Sequence, residues 1–115
     1  MEAWILFAAV VAALLVVPRL LGAGRASAEV VRQKLSAGAT VVDVRTPGEF
    51  RGGAHPGAVN VPLQELSARL SEIPRDRPVV LYCASGARSG IAAARLKKAG
   101  YADVVNAGGL HGMPR

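Results

Sequence analysis

Cys83 is the only cysteine in a chain of 115 residues. An intramolecular disulfide is therefore excluded, and so is a zinc site built on several thiolates. His55 and His111 are the only histidines and make a poor metal set by themselves. Aromatic residues are scarce at 4%, so a core must be built from Val, Leu, Ile and Ala. The net charge is +6, but the basic residues are scattered apart from Arg95, Lys97 and Lys98. Nucleic-acid binders combine a basic face with stacking aromatics or a recognisable motif, and neither is present. The charge suits a solvated surface, anionic lipid or small anionic substrates instead. The lone thiol has a chemical consequence too. Once oxidised or loaded with sulfur, it must be discharged by an external thiol.

One long apolar run stands out. Ala3 to Val17 carries no polar side chain, Pro18 and Arg19 interrupt it, and Leu20 and Leu21 continue it. A helix over residues 3–21 would rise about 28 Å, close to the hydrocarbon thickness of a bilayer. Trp4 suits one interface, and Arg19 and Arg25 suit the other. This predicts one transmembrane helix, with residues 1–24 as anchor and linker and residues 25–115 as the folded domain. The basic residues follow the run, which places the domain on the cytoplasmic side. The alternative is export after signal-peptide cleavage, since Ala26-Ser27-Ala28 has the A-x-A form. A basic n-region is missing, however, because only Met1 and Glu2 precede Ala3.

The remainder alternates strand and helix patterns. Ser27 is an N-cap, with Glu29 in the first turn, Val30, Val31 and Leu35 on one face, and Gly38 at the end. Thr40 to Val44 is a strand, apolar on both faces, and Thr46-Pro47-Gly48 begins a turn. Val59 to Val61 is a short strand. Leu63, Leu66, Leu70 and Ile73 predict an amphipathic helix stopped by Pro74. Val79 to Tyr82, the helix Arg88 to Ala99 and the strand Val104 to Asn106 complete an α/β domain with a parallel sheet. The chemistry of such sheets gathers beyond the C-terminal strand ends, where Cys83, Arg45 and Asn106 fall.

Cys83 leads from a buried strand into Ala84-Ser85-Gly86-Ala87-Arg88-Ser89. These small residues let the backbone curl around the sulfur, so that successive N–H groups form a nest for an anion. The start of the next helix adds its partial positive charge. A thiol held there ionises more readily than a free one and becomes a nucleophile.

Four segments together resemble the rhodanese-homology family of sulfurtransferases: Val41 to Phe50 (VVDVRTPGEF), Pro56 to Leu63 (PGAVNVPL), Tyr82 to Ser89 (YCASGARS) and Asn106 to Leu110 (NAGGL). They cover nearly the whole domain in the family's order. The resemblance implies a three-layer α/β fold with a central parallel sheet flanked by helices. It also implies that Cys83 takes a sulfane sulfur from thiosulfate or a persulfide donor, holds it as a persulfide, and passes it to a thiol or cyanide. The expected partners are thus a small anionic donor, a thiol acceptor and, through residues 3–21, the membrane; no cofactor and no metal are called for. Ala84, Ser85, Gly86, Ala87, Arg88 and Ser89 are expected to bind the substrate. Asp43 and Arg45 are expected to build the scaffold around the loop, and Glu49 is a supporting candidate that either pairs with Arg88 or is an exposed turn carboxylate.

Two other functions share this fold: a phosphatase or arsenate-handling enzyme, and a non-catalytic membrane-tethered binding module. Four residues separate Cys83 from Arg88, one fewer than in the phosphatases that resemble it, and the smaller cradle suits a sulfur atom better than a phosphate. The presence of Cys83 argues against the binding module. The sequence departs from the family's pattern in two places. His55 stands one residue later than the histidine of many relatives. Beyond Leu110 the sequence runs through His111 to Arg115, where relatives usually carry a final helix, and this departure puts the family's cover over one edge of the sheet in doubt.

Overall fold

The computed structural model describes residues 24–114. The predicted transmembrane segment, residues 3–21, lies outside them. Among the described residues no helix is long and apolar enough to cross a membrane.

The elements run α1 (Ala28–Ser36), β1 (Thr40–Asp43), α2 (Pro47–Arg51), β2 (Val59–Asn60), a 3₁₀ stretch (Leu63–Glu72), β3 (Val79–Cys83), α3 (Ala87–Lys98), β4 (Val104–Gly109) and a 3₁₀ turn (Leu110–Gly112). The four strands form one sheet in the order β2-β1-β3-β4, every pairing parallel. Period-two alternation divides the apolar side chains between its faces. Val42, Val44, Val79, Leu81 and Cys83 face α3 and the 3₁₀ stretch, packing with Leu66, Ile73, Ala92, Ala93 and Leu96. Val41, Val80, Tyr82 and Ala107 face α1, packing with Val31, Leu35 and Met113. The predicted three-layer arrangement around a parallel sheet is therefore present, and it sets Cys83 on the α3 face at the C-terminal end of an inner strand.

Local chemistry explains the boundaries. The Ser27 hydroxyl accepts from the Val30 N–H at 3.2 Å, capping α1 as its sequence requires. The turn expected at Thr46 is instead the start of α2. Thr46 and Glu49 close a capping box, and Pro47 occupies the first turn, where its missing N–H costs nothing. The amphipathic helix expected from Leu63 to Ile73 is a 3₁₀ stretch, broken at Arg69 (φ −121°, ψ 24°). The Tyr101 hydroxyl lies within hydrogen-bond distance of the carbonyls of Leu70 and Ile73 (3.1 and 2.7 Å), acceptors left over where the stretch ends before Pro74.

The edge of β4 also differs from expectation. Arg25 pairs with Asn106 in a parallel bridge, and the Ala26 N–H donates to the Asn106 carbonyl at 2.8 Å. The first two residues of the predicted domain thus lie along the last strand.

Candidate active site

β3 delivers Cys83 fully buried at its end, and the next residues turn back over the sulfur. The turn depends on Gly86, whose φ of +100° is open to glycine and strained for other residues. A side chain at Gly86 would also press on the Gly108 backbone, since its Cβ would lie 3.1 Å from the Gly108 Cα. Two small residues on different elements thereby let the loop sit directly on the end of β4. The Gly86 N–H donates to the Cys83 Sγ at 2.9 Å, and the Ser89 hydroxyl lies 3.4 Å from it. Ala84, Ser85 and Ala87 are exposed, so the loop turns its outer surface to solvent and its N–H groups inward.

Two effects compete for the charge on Cys83. Burial pushes the thiol up. Hydrogen bonds from the Ser89 hydroxyl and from the backbone N–H groups of Ser89, Ser85 and Gly86 stabilise the thiolate and prevail, lowering the pKa from 9.0 to about 7. Since the thiolate is the reactive form, alkylation by iodoacetamide should rise with pH and level off above a midpoint of about 7. In Ser89→Ala the midpoint should move upward while the protein stays folded. A wild-type midpoint at 9.0 or above would contradict activation by the loop.

A polar brace stands behind the loop. The one proton of the Ser89 hydroxyl has two acceptors in reach, Asn106 Oδ1 at 2.7 Å and the sulfur at 3.4 Å, and it turns to the sulfur when Cys83 is ionised. Asn106 Oδ1 also accepts from the Gly108 N–H at 2.9 Å, and its Nδ2 donates to the Gly86 carbonyl at 3.1 Å. Asn106 therefore fixes the N–H donor Gly86 and the hydroxyl of Ser89 from one side chain.

Of the two readings of Glu49, the pair with Arg88 is the one formed. The Arg88 guanidinium donates to both carboxylate oxygens, at 2.7 and 3.0 Å. That pair, with the Thr46 N–H and hydroxyl, holds the Glu49 carboxyl down at about 2. The Arg88 charge is held in place mainly by Glu49 and to a lesser extent by Cys83.

Asp43 and Arg45 lie elsewhere, in a buried cluster on the α1 side of the sheet. Asp43 Oδ2 accepts from Arg45 Nη2 and from the Tyr82 hydroxyl, both at 2.7 Å, and Oδ1 accepts from the Arg45 N–H at 2.9 Å. The Tyr82 hydroxyl in turn accepts from the His55 N–H at 3.0 Å. Asn60 Nδ2 donates to the carbonyls of Asp43 and Arg45, each at 3.0 Å. This cluster ties the ends of β1 and β2 to β3 beside the loop and makes no hydrogen bond to the sulfur. Tyr82, Asn60 and the bracing role of Asn106 go beyond the residues that the sequence singles out. The signal for Tyr82 was its polar tip inside a buried strand, which demands a partner.

Residues 27–113 match a family model described as the rhodanese-like domain. The chain is 48% identical over 80 residues to a sulfurtransferase of Allochromatium vinosum, a match covering 64% of this chain and 75% of that relative. It is 39% identical over 71 residues to the thiosulfate sulfurtransferase PspE of Escherichia coli, covering 60% of this chain and 68% of that one. Among solved structures, a rhodanese with anions from E. coli superimposes with a TM-score of 0.60 at 37% identity, over 66% of this chain and 94% of that chain.

Proposed function

Because this chain belongs to the rhodanese-like family and is a rhodanese-type sulfurtransferase, we propose that it moves sulfane sulfur from thiosulfate or a low-molecular-weight persulfide to a thiol or cyanide, through a persulfide on Cys83. The observation that carries this reading is a buried thiol with its pKa lowered to about 7, facing the N–H groups of a tight loop. The thiolate attacks the outer sulfur of thiosulfate. A bond forms between Sγ and that sulfur, the sulfur–sulfur bond of the donor breaks, and its electron pair leaves with sulfite. The negative charge now rests on the outer persulfide sulfur, and inward N–H groups stabilise it there as they would an oxyanion. Attack on that sulfur by cyanide or a thiolate gives thiocyanate or a new persulfide and returns the Cys83 thiolate. An already ionised Cys83 needs no general base. Incubation with thiosulfate should leave the intact protein heavier by one sulfur atom, and cyanide should remove that mass. Failure to load sulfur from either thiosulfate or glutathione persulfide would overturn the reading.

The same reading puts residues 3–21 in the membrane and the domain on the cytoplasmic side, where a single-cysteine enzyme meets a pool of thiols that can discharge its persulfide. The apolar run from Ala3 to Val17, its continuation through Leu20 and Leu21, and the basic residues Arg19 and Arg25 at that end support this. Cells making the full chain should yield a membrane-bound product that retains Trp4, protected from protease added outside. A soluble exported product beginning at Glu29 would refute it.

A further inference from the structure

Arg25 lies across the glycines at the end of β4. A Cβ on Gly108, where φ is +90°, would overlap the Arg25 guanidinium, and the same group comes within 3.7 Å of where a Cβ on Gly109 or Gly112 would stand. Gly109 also abuts the Ala84 carbonyl, the first residue of the Cys83 loop, so a Cβ there would collide with it. The guanidinium and the loop thus meet across one residue that has no side chain to separate them. The backbone of Arg25 is held beside this end of β4 through its bridge to Asn106 and the Ala26 N–H to the Asn106 carbonyl.

Charge gives the placement a meaning. Arg88 is the cation nearest in sequence to the sulfur, but its guanidinium is tied through two hydrogen bonds to Glu49. Arg25 is exposed, and among the described residues no carboxylate pairs with it. A donor that brings a sulfonate or carboxylate to a thiolate needs a cation whose charge is not already met. We propose that Arg25 is a donor-binding residue whose guanidinium receives the anionic end of the incoming sulfur compound. The nature of that compound rests on the sulfur-transfer reading above; the cation subsite itself does not.

Two reagents of similar size separate charge from shape: neutral iodoacetamide and anionic iodoacetate. Cys83 is the only thiol, so its loss in the full-length protein reports each rate directly. In Arg25→Gln the ratio of the iodoacetate rate to the iodoacetamide rate should fall about fivefold, as for loss of a steering charge at a site's rim. The iodoacetamide rate and its pH midpoint should not change. Arg25→Met, which keeps the stem over the glycines and loses only the charge, should show the same fall, and Arg25→Lys should restore most of the ratio. With thiosulfate as donor, KM should rise by a similar factor at constant kcat. An unchanged ratio overturns the proposal. So does an equal fall with both reagents, which would mean that Arg25 only shapes the loop. A wild-type protein that carries no sulfur would defeat the functional reading, and the alkylation ratio would still decide this one.

Discussion

Cys83→Ser is expected to reduce sulfur transfer from thiosulfate to cyanide to background, a loss of about a thousandfold or more, as for removal of a nucleophile. The hydroxyl is close in size to the thiol and can accept from the Gly86 N–H that now donates to Sγ at 2.9 Å. The fold should therefore survive, with the thermal midpoint little changed. What disappears is ionisation. A loop that lowers a thiol to about 7 leaves a serine hydroxyl protonated at any physiological pH. The variant should gain no mass from thiosulfate and should resist iodoacetamide. Transfer by the serine variant at a tenth of the wild-type rate would sink the assignment of Cys83 as nucleophile. Cys83→Ala is the companion, since it removes the hydrogen-bond acceptor as well. A larger loss of stability in alanine than in serine would show that the inward N–H groups need a partner at that point.

The elements that the sequence made legible are those decided by local pattern. Val79 to Leu81 is a run of apolar residues too short for a helix, and it forms an inner strand. Ser27 carries its capping chemistry in its own side chain. Cys83 could be placed at a strand end because small residues and a glycine follow at once. The Glu49–Arg88 pair was one of two readings of Glu49, and its setting was not foreseen. Thr46-Pro47-Gly48-Glu49 carries the capping-box signature, yet α2 is only five residues long and begins with a proline and a glycine, so the segment reads equally well as a turn. Glu49 consequently serves two partners, the N-terminus of α2 and the guanidinium of Arg88.

Other features were decided by contacts distant in sequence. Leucines at 63, 66 and 70 are spaced for an α period, yet the stretch is 3₁₀ and broken at Arg69. Tyr101, 28 residues beyond Ile73, donates to its carbonyl and ties the end of the stretch to the domain, a contact no local pattern announces. Asn106 reaches Gly86 because of the pairing between β3 and β4. The register shifts between Leu81 and Tyr82, so that Asn106 stands opposite Leu81 and Gly108 opposite Tyr82. No spacing rule foretells a bulge of that kind. Arg25 reads from the sequence as a cation flanking a membrane segment. Its lodging against Gly108 follows from a close approach that only missing side chains permit, and a pair of glycines in sequence signals a turn just as readily.

Asp43→Ala is expected to cost about 3–5 kcal/mol of stability, the range for removing one partner of a buried ion pair. Asp43 has no exposed surface, and Arg45 is only 7% exposed. The carboxylate accepts from the Arg45 N–H, from Nε and Nη2 of its guanidinium, and from the Tyr82 hydroxyl. Alanine would leave the guanidinium with one bond, from Nη2 to the Gly53 carbonyl at 2.7 Å, in a place water barely reaches. A small domain is stable by roughly 5–15 kcal/mol, so the thermal midpoint should fall by about 15 °C or more. Asp43→Asn, with the same shape and one acceptor kept, should lose less. Removing both charges, as in Asp43→Leu with Arg45→Met, should be milder than alanine alone, because no unpaired cation is left buried. The cluster lies on the α1 side of the sheet and Cys83 on the other. At low temperature, where Asp43→Ala is still folded, the iodoacetamide midpoint should therefore stay at about 7. A stability loss under about 1 kcal/mol would show that Arg45 finds other partners and that the pair is dispensable. A shifted midpoint in the folded variant would show instead that the cluster tunes the sulfur through β3.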